Sequence, residues 1–227
     1  MNRIVHIVVA AGSGRRFGAD LPKQFHLLGG KPVLMHAVDS MRRFGGGGLV
    51  VTVLHPDYIS YWNDVCVSFG FDPGVIVAGG DTRWMSVRNA LDVYGNDADI
   101  VTIHDGARPL VGRSVVERVI STVQAGAVGA VPAIPLSDSL RQIDGGGHSS
   151  AVDRSSFVAV QTPQGFSGKE LRTAYNAPFS PLFTDDASVI EAAGYDVTLV
   201  EGSSVNMKVT NPVDLAIAEI LLGRCSD

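Results

Sequence analysis

Short apolar runs rich in β-branched residues recur at Ile4–Val9, Leu49–Leu54, Val75–Ala78, Ile100–Ile103, Ala130–Ile134 and Val197–Val200. Each is long enough for a buried strand and too short for a helix. Between most of them the period changes to that of a helix. Leu34, Ala37, Val38 and Met41 recur at i, i+3, i+4 and i+7, as do Val87, Ala90, Leu91 and Tyr94, and again Val116, Val119, Ile120 and Val123. Each set gives a helix one apolar face with which to cover a sheet. Near-continuous apolar strands alternating with amphipathic helices predict an α/β fold: a mainly parallel twisted sheet flanked by helices, Rossmann-like in layout. Ligands of such sheets bind beyond the carboxyl ends of the strands.

One segment breaks the alternation. Ser137–Val160 is polar, carries Asp138, Arg141, Asp144, Asp153 and Arg154, and has Gly145-Gly146-Gly147 at its middle. It reads as a protruding β-hairpin arm on a single domain spanning 1–227. An isolated two-stranded hairpin is marginal in water, so a long polar arm is expected to embrace a partner copy, with 137–160 as a dimerisation arm. Gly45–Gly48 reads as a flexible connection, and Asn211-Pro212 opens a capped terminal helix that Gly223 can end.

Charge and cysteine content narrow the classes. Lys and Arg number 18 against 23 Asp and Glu, a formal charge of -5, which disfavours a general nucleic-acid binder. Cys66 and Cys225 lie far apart without metal-ligand spacing, so a reducing, cytoplasmic compartment is expected. The apolar start is too short for a signal or membrane segment, so no membrane association is expected.

The most informative stretch follows the first strand: Ala10-Ala11-Gly12-Ser13-Gly14-Arg15-Arg16-Phe17-Gly18, then Leu21-Pro22-Lys23-Gln24. Small residues at a strand's carboxyl end let backbone N–H groups approach phosphates, and Arg15, Arg16 and Lys23 supply the charge a triphosphate requires. The dinucleotide fingerprint fails because Phe17 stands where its third glycine belongs, and the Walker pattern fails because Gly30-Lys31 is followed by Pro32. Asp105 ends a buried strand at the ligand edge, where a carboxylate needs a cation, a metal or strong donors. Its neighbour His104 faces the other way in a regular strand and reads as structural.

These blocks resemble, in order, those of the 2-C-methyl-D-erythritol 4-phosphate cytidylyltransferases, members of the glycosyltransferase-A-like nucleotidyltransferases. Ala10–Arg16 with Pro22-Lys23-Gln24 matches the nucleotide loop. Ala78–Arg83 with Ser86, His104–Pro109, Val152–Arg154, Gln161–Gln164, Thr184–Ala187 and Met207–Thr210 follow in register. The resemblance implies transfer of the cytidylyl group of CTP to the polyol phosphate, with release of pyrophosphate, in isoprenoid precursor biosynthesis. It implies CTP contacts at Ala10, Ala11, Gly12, Gly14, Arg16, Lys23, Gly80, Asp81, Ser86, Asp105 and Gly106. Polyol-phosphate contacts are implied at Asp105, Arg108, Ser139, Arg154, Thr162 and Lys208, with Ser139 standing where the family usually has Thr.

Arg16, Lys23, Arg154 and Lys208 are the implied catalytic cations. The implied cofactor is Mg²⁺ or another divalent ion, held by Asp105 or mainly by triphosphate oxygens and water. The family also implies a homodimer with shared active sites, and with the chain ending after the last helix a monofunctional enzyme is expected. A ribitol-5-phosphate cytidylyltransferase shares the fold and the Pro-Lys-Gln element. It is disfavoured by Ala-Ala-Gly in the first loop and by the Val152-Asp153-Arg154 block. A nicotinamide-dependent oxidoreductase fits the α/β pattern but not Phe17, and retention of all four cations argues against a non-catalytic nucleotide-binding regulator.

Overall fold

The computed structural model describes residues 3–12 and 21–223. The first strand, β1 (Ile4–Ala10), is buried on both faces, and the alternation of its side chains shows why. Ile4, Val8 and Ala10 enter one core while Val5 and Ile7 enter the other. After a 3-10 turn at Lys23–Phe25 comes a two-residue pair, β2 (Leu27–Leu28) with β3 (Lys31–Pro32), which leads into α1 (Val33–Phe44). Next come β4 (Leu49–Leu54), α2 (Ile59–Ser68), β5 (Val75–Ala78), α3 (Arg83–Ala90), β6 (Ile100–Asp105) and α4 (Arg113–Gln124). β6, β1, β4 and β5 lie side by side and parallel, so their carboxyl ends share one edge.

The second half is built on β7 (Gly129–Pro135). From it the hairpin arm projects as β8 (Arg141–Ile143) and β9 (Ser149–Ala151), antiparallel around the glycine turn. The chain returns through β10 (Val158–Val160) and β11 (Gln164–Ser167), both antiparallel to β7. The last three residues of the 137–160 segment therefore belong to the main sheet and not to the projecting arm. Their alternation Val-Ala-Val can pair with β7, whereas the polar residues before them cannot bury a face. Between the two strands, the five-residue step from Val160 to Gly165 faces the three-residue step from Ala133 to Ala130, a bulge centred on Gln161–Pro163. α5 (Gly168–Tyr175), α6 (Asp186–Ala192), β12 (Val197–Glu201) and α7 (Pro212–Leu222) complete the chain, with β12 parallel to β7 on its other edge.

Helices α1, α2 and α4 cover one face of the sheet, and α3, α5 and α6 the other. The helix expected from Val87, Ala90, Leu91 and Tyr94 is shorter than that spacing: α3 ends at Ala90 and Leu91–Gly95 continues as a π turn. Within Gly45–Gly48 the outer two glycines are tight fits, and the middle two turn the chain at positive φ. A Cβ at Gly45 or Gly48 would lie 2.2 or 2.5 Å from His6 Nε2, so bare backbone is needed where the imidazole plugs the sheet's end. His6 Nε2 donates to Gly45 O at 2.9 Å, and its Nδ1 accepts the Thr102 hydroxyl at 2.7 Å. Among the described residues, no helix is long and apolar enough to cross a membrane.

Candidate active site

The shared carboxyl edge opens into a cavity of about 810 Å³. β1 contributes Ala10, Ala11 and Gly12, β4 is followed by His55 and Pro56, and β5 by Gly79–Thr82. β6 contributes Asp105, and the segment between β12 and α7 contributes Lys208 and Thr210. Lys23 also lines the cavity. Beside it, the Gln24 amide donates to Ala10 O at 2.7 Å and Gly12 O at 3.1 Å, tying the 3-10 turn to the start of the first loop. Gly14 and Arg16 lie outside the described residues.

On the β5 side, Thr82 caps α3 by accepting from Met85 N at 3.0 Å. Ser86 Oγ accepts from Gly80 N at 3.1 Å and donates to Thr82 O at 2.9 Å. A Cβ on Gly79 would come within 2.5 Å of Ala11 Cβ, so a glycine lets the ends of β1 and β5 close together. The cap and the cavity wall are one structure: the turn that starts α3 also presents Gly80, exposed Asp81 and Ser86 to the pocket. Gly106, next to Asp105, donates its N–H to Val9 O at 2.8 Å and so holds β6 against β1.

The opposite wall is a charge cluster. Asp105 Oδ2 lies 2.8 Å from Lys208 Nζ and 3.4 Å from Arg108 Nε, and Oδ1 lies 3.7 Å from Arg83 Nε. Burial pushes the carboxyl up, but Arg83, Lys208 and Arg108 outweigh it and hold Asp105 well below the usual carboxylate range. The balance is physically reasonable. One unit-charge pair at ~4 Å and an effective dielectric of ~20 is worth ~4 kcal/mol, and three together exceed the several kcal/mol of desolvating one carboxylate. Arg108 also donates to Asn206 O at 2.8 Å.

Behind Asp105 the proton positions are set by simple donor counting. His104 Nε2 meets Arg108 O at 3.1 Å and must donate there, so Nδ1 is the acceptor facing Thr162 Oγ1 at 3.1 Å. Thr162 therefore donates to His104 and accepts the Asp105 N–H at 2.9 Å. Thr162 is buried and fixes the backbone of Asp105. His104, fully buried, is pushed down to about 4 by that burial and is structural, as its strand position predicts.

Arg154 and Ser139 do not join this cluster within the chain. Arg154 sits in an exposed 3-10 turn of the arm with its guanidinium on Ser137 O, and neither residue lines the cavity. Among the described residues, no three or more His, Cys, Asp or Glu side chains converge to hold a metal. Both Asp105 oxygens already face cations. The described residues thus do not form a protein-borne cage around Asp105, and their donors suit a magnesium ion carried on substrate phosphates.

Sequence reasoning did not single out Arg83, His55 or Asp186. Arg83 lines the cavity between Asp105 and the fully buried Asp186, 2.5 Å from the latter. The blocks Gly80–Arg83 and Thr184–Ala187 held the signal, but nothing local says that two residues 103 apart in sequence meet.

Comparison with known proteins agrees with this geometry. The family profile described as 2-C-methyl-D-erythritol 4-phosphate cytidylyltransferase matches residues 4–224. A protein of that name from Bacteroides fragilis is 42% identical over 218 residues, 95% of this chain and 98% of the relative. Another from Porphyromonas gingivalis is 44% identical over 220 residues, 95% and 96% of the two chains. Among solved structures, a 4-diphosphocytidyl-2C-methyl-D-erythritol synthase from Anaerococcus prevotii superposes with a TM-score of 0.83 at 25% identity, covering 98% of this chain and 97% of that one. The 2-C-methyl-D-erythritol 4-phosphate cytidylyltransferase of Thermus thermophilus gives 0.75 at 33% identity, covering 97% and 98%. By sequence, by fold and by the cavity at the carboxyl ends of its parallel strands, this chain belongs to the 2-C-methyl-D-erythritol 4-phosphate cytidylyltransferase family of nucleotidyltransferases.

Proposed function

We propose that the chain transfers the cytidylyl group of CTP to 2-C-methyl-D-erythritol 4-phosphate, giving 4-diphosphocytidyl-2-C-methyl-D-erythritol and pyrophosphate. The observation that carries this reading is the division of the cavity into two walls. Lys23, Ala10–Gly12 and the turn residues Gly80, Asp81 and Ser86 form one; Asp105, Arg83 and Lys208, backed by Arg108, form the other. Two anionic substrates that must meet need separate cationic holds. The nucleotide lies on the first wall, with cytosine against the Gly80, Asp81 and Ser86 turn and the triphosphate on the first loop, Arg16 and Lys23. The polyol phosphate lies on the second.

A phosphate oxygen of the polyol attacks the α-phosphorus of CTP. The bond to the bridging oxygen breaks, and its electron pair leaves with pyrophosphate. No general base is required, because the attacking phosphate is already ionised at neutral pH. Mg²⁺ or another divalent ion carried on the triphosphate oxygens would neutralise charge there.

The functional unit in this reading is a homodimer in the cytoplasm, whose arm carries Arg154 and Ser139 to the partner's polyol phosphate. Its support is the exposure of Arg154 and its place outside its own chain's cavity. Pyrophosphate release assayed with each nucleoside triphosphate and a panel of polyol phosphates tests the reading. CTP with methylerythritol phosphate should give the highest kcat/KM, and a higher value with ribitol 5-phosphate would replace the substrate.

A further inference from the structure

Arg83 makes two unequal ion pairs. Its Nη2 lies 2.5 Å from Asp186 Oδ2, whereas its Nε is 3.7 Å from Asp105 Oδ1. Asp186 opens α6, is fully buried and does not line the cavity. The Tyr175 hydroxyl donates to its Oδ1 at 2.7 Å, and the Tyr175 ring stacks on Trp84, the residue after Arg83. Gln164 on β11 fixes the start of α6 by accepting from Ala187 N at 3.0 Å and donating to Asp185 Oδ2 at 2.7 Å. This carboxylate is thus held in place by three elements, at a position that costs free energy unless it meets a cation.

Its effect follows from competition. A guanidinium beside a single carboxylate tends toward a two-pronged pair with it. With Asp186 neutral, that carboxylate would be Asp105, whose Oδ2 now holds Lys208 at 2.8 Å. Coulombic attraction falls with distance, so the shorter pair keeps Arg83 on Asp186 and leaves Asp105 to Lys208 and Arg108. Three cations and two carboxylates then sum to one net positive charge beside the cavity, presented to it by Arg83 and Lys208.

We propose that Asp186 is a positioning residue for the second substrate: by holding Arg83 off Asp105, it keeps Lys208 and Arg108 aligned for the polyol phosphate. The proposal rests on Lys208 being a phosphate-holding cation in the transfer reaction.

The test is steady-state kinetics of Asp186→Asn, with each substrate varied in turn, alongside circular dichroism and thermal melting. Loss of one charge-assisted alignment predicts a rise in KM for the polyol phosphate of ~tenfold, with KM for CTP changed less than ~twofold. In a Lys208→Ala background the same substitution should add little to that KM, because the cation it aligns is gone. A merely structural role would lower the active fraction and hence kcat, with both KM values unmoved. Unchanged KM for the polyol phosphate, or equal rises for both substrates, overturns the proposal. Should Asp186→Asn fail to fold, Tyr175→Phe decides by the same criterion, since it removes only the hydroxyl on Asp186. Normal wild-type turnover with no selective KM effect defeats the proposal alone, whereas a wild-type protein inactive with every polyol phosphate defeats the transfer reading with it.

Discussion

Mild acid should destabilise this protein before Asp105 is protonated. His6 and His104 are both fully buried, and burial pushes each imidazole from 6.5 to about 4. Each has Nε2 committed to donating to a carbonyl and Nδ1 to accepting from a threonine hydroxyl, so a second ring proton has no acceptor. The sign follows from where the protons go. The unfolded chain binds them near pH 6.5 and the folded chain near 4, so this stabilisation is complete above 6.5 and is lost as pH falls to 4. A depression of ~2.5 units is ~3 kcal/mol per histidine, and the slope between those limits is ~1.4 kcal/mol per pH unit for each, nearly 3 for the pair. Half-buried His36, also pushed down by burial, adds in the same direction. Asp105 acts lower: its folded value is depressed, so its contribution is present above ~3.8 and disappears only beneath that. Urea unfolding at pH 7.5, 6.5, 5.5 and 4.5 measures the slope. His6→Gln keeps a donor for Gly45 and cannot titrate, so it should remove about one proton from the slope whatever it costs at pH 7.5. A flat midpoint from 6.5 to 4.5, or a slope unchanged in His6→Gln, would refute the reasoning.

Other perturbations separate packing from charge. A Cβ on Gly48 would lie 2.5 Å from His6 Nε2 and 2.9 Å from Ile4 O, so Gly48→Ala should cost ~1–3 kcal/mol in urea unfolding, and a neutral result would show that the loop yields. Asp105→Asn should raise KM for the polyol phosphate by ~tenfold although it removes negative charge from an anion site, and a lowered KM would show that charge count governs. Lys23→Ala and Arg154→Ala proteins, each nearly inactive alone, should recover roughly a quarter of wild-type activity when refolded together with half the dimers mixed. No recovery despite demonstrated mixing would place Arg154 in its own subunit's site.

The elements legible in the chain are those whose burial is two-sided or strictly periodic. β1, β4 and β6 announce themselves because both faces are covered, and α1 and α4 because one stripe is. β11 does not: Gln-Gly-Phe-Ser has a single large apolar residue, and its place between β6 and β7 is set by partners elsewhere in the chain. The end of the arm is not marked in the sequence for a related reason, since Val158–Val160 is continuous with polar residues and differs from them in having β7 to pair with. In the site, Lys208 was legible through the Met207–Thr210 block. The Arg83–Asp186 contact was not, because side-chain pairing between α3 and α6 leaves no mark on local pattern. Arg16 and Gly14 fall outside the described residues and stay expectations from sequence.

In the proposed reaction, a carboxylate in the middle of the wall assigned to the polyol phosphate weakens the attraction for that ligand, and the geometry explains why it is nevertheless useful. Arg108 and Lys208 both reach one oxygen of Asp105, so without it they would repel one another and turn toward water, while Arg83 would stay on Asp186. Ordering a long cationic side chain on binding costs ~0.5–1.5 kcal/mol each, and mutual repulsion at these separations adds to it. Asp105 meets both costs during folding, when burial of the surrounding strands can offset them, so an arriving phosphate finds its cations already placed. The same logic resolves the chain's net charge of -5 with its anionic substrates. The acidic residues that outnumber the basic ones are spread over the surface, where ions screen them within ~8–10 Å. The cations that matter are held together at one edge of the sheet by two carboxylates, Asp105 and Asp186, whose positions depend on β6, β11 and α6.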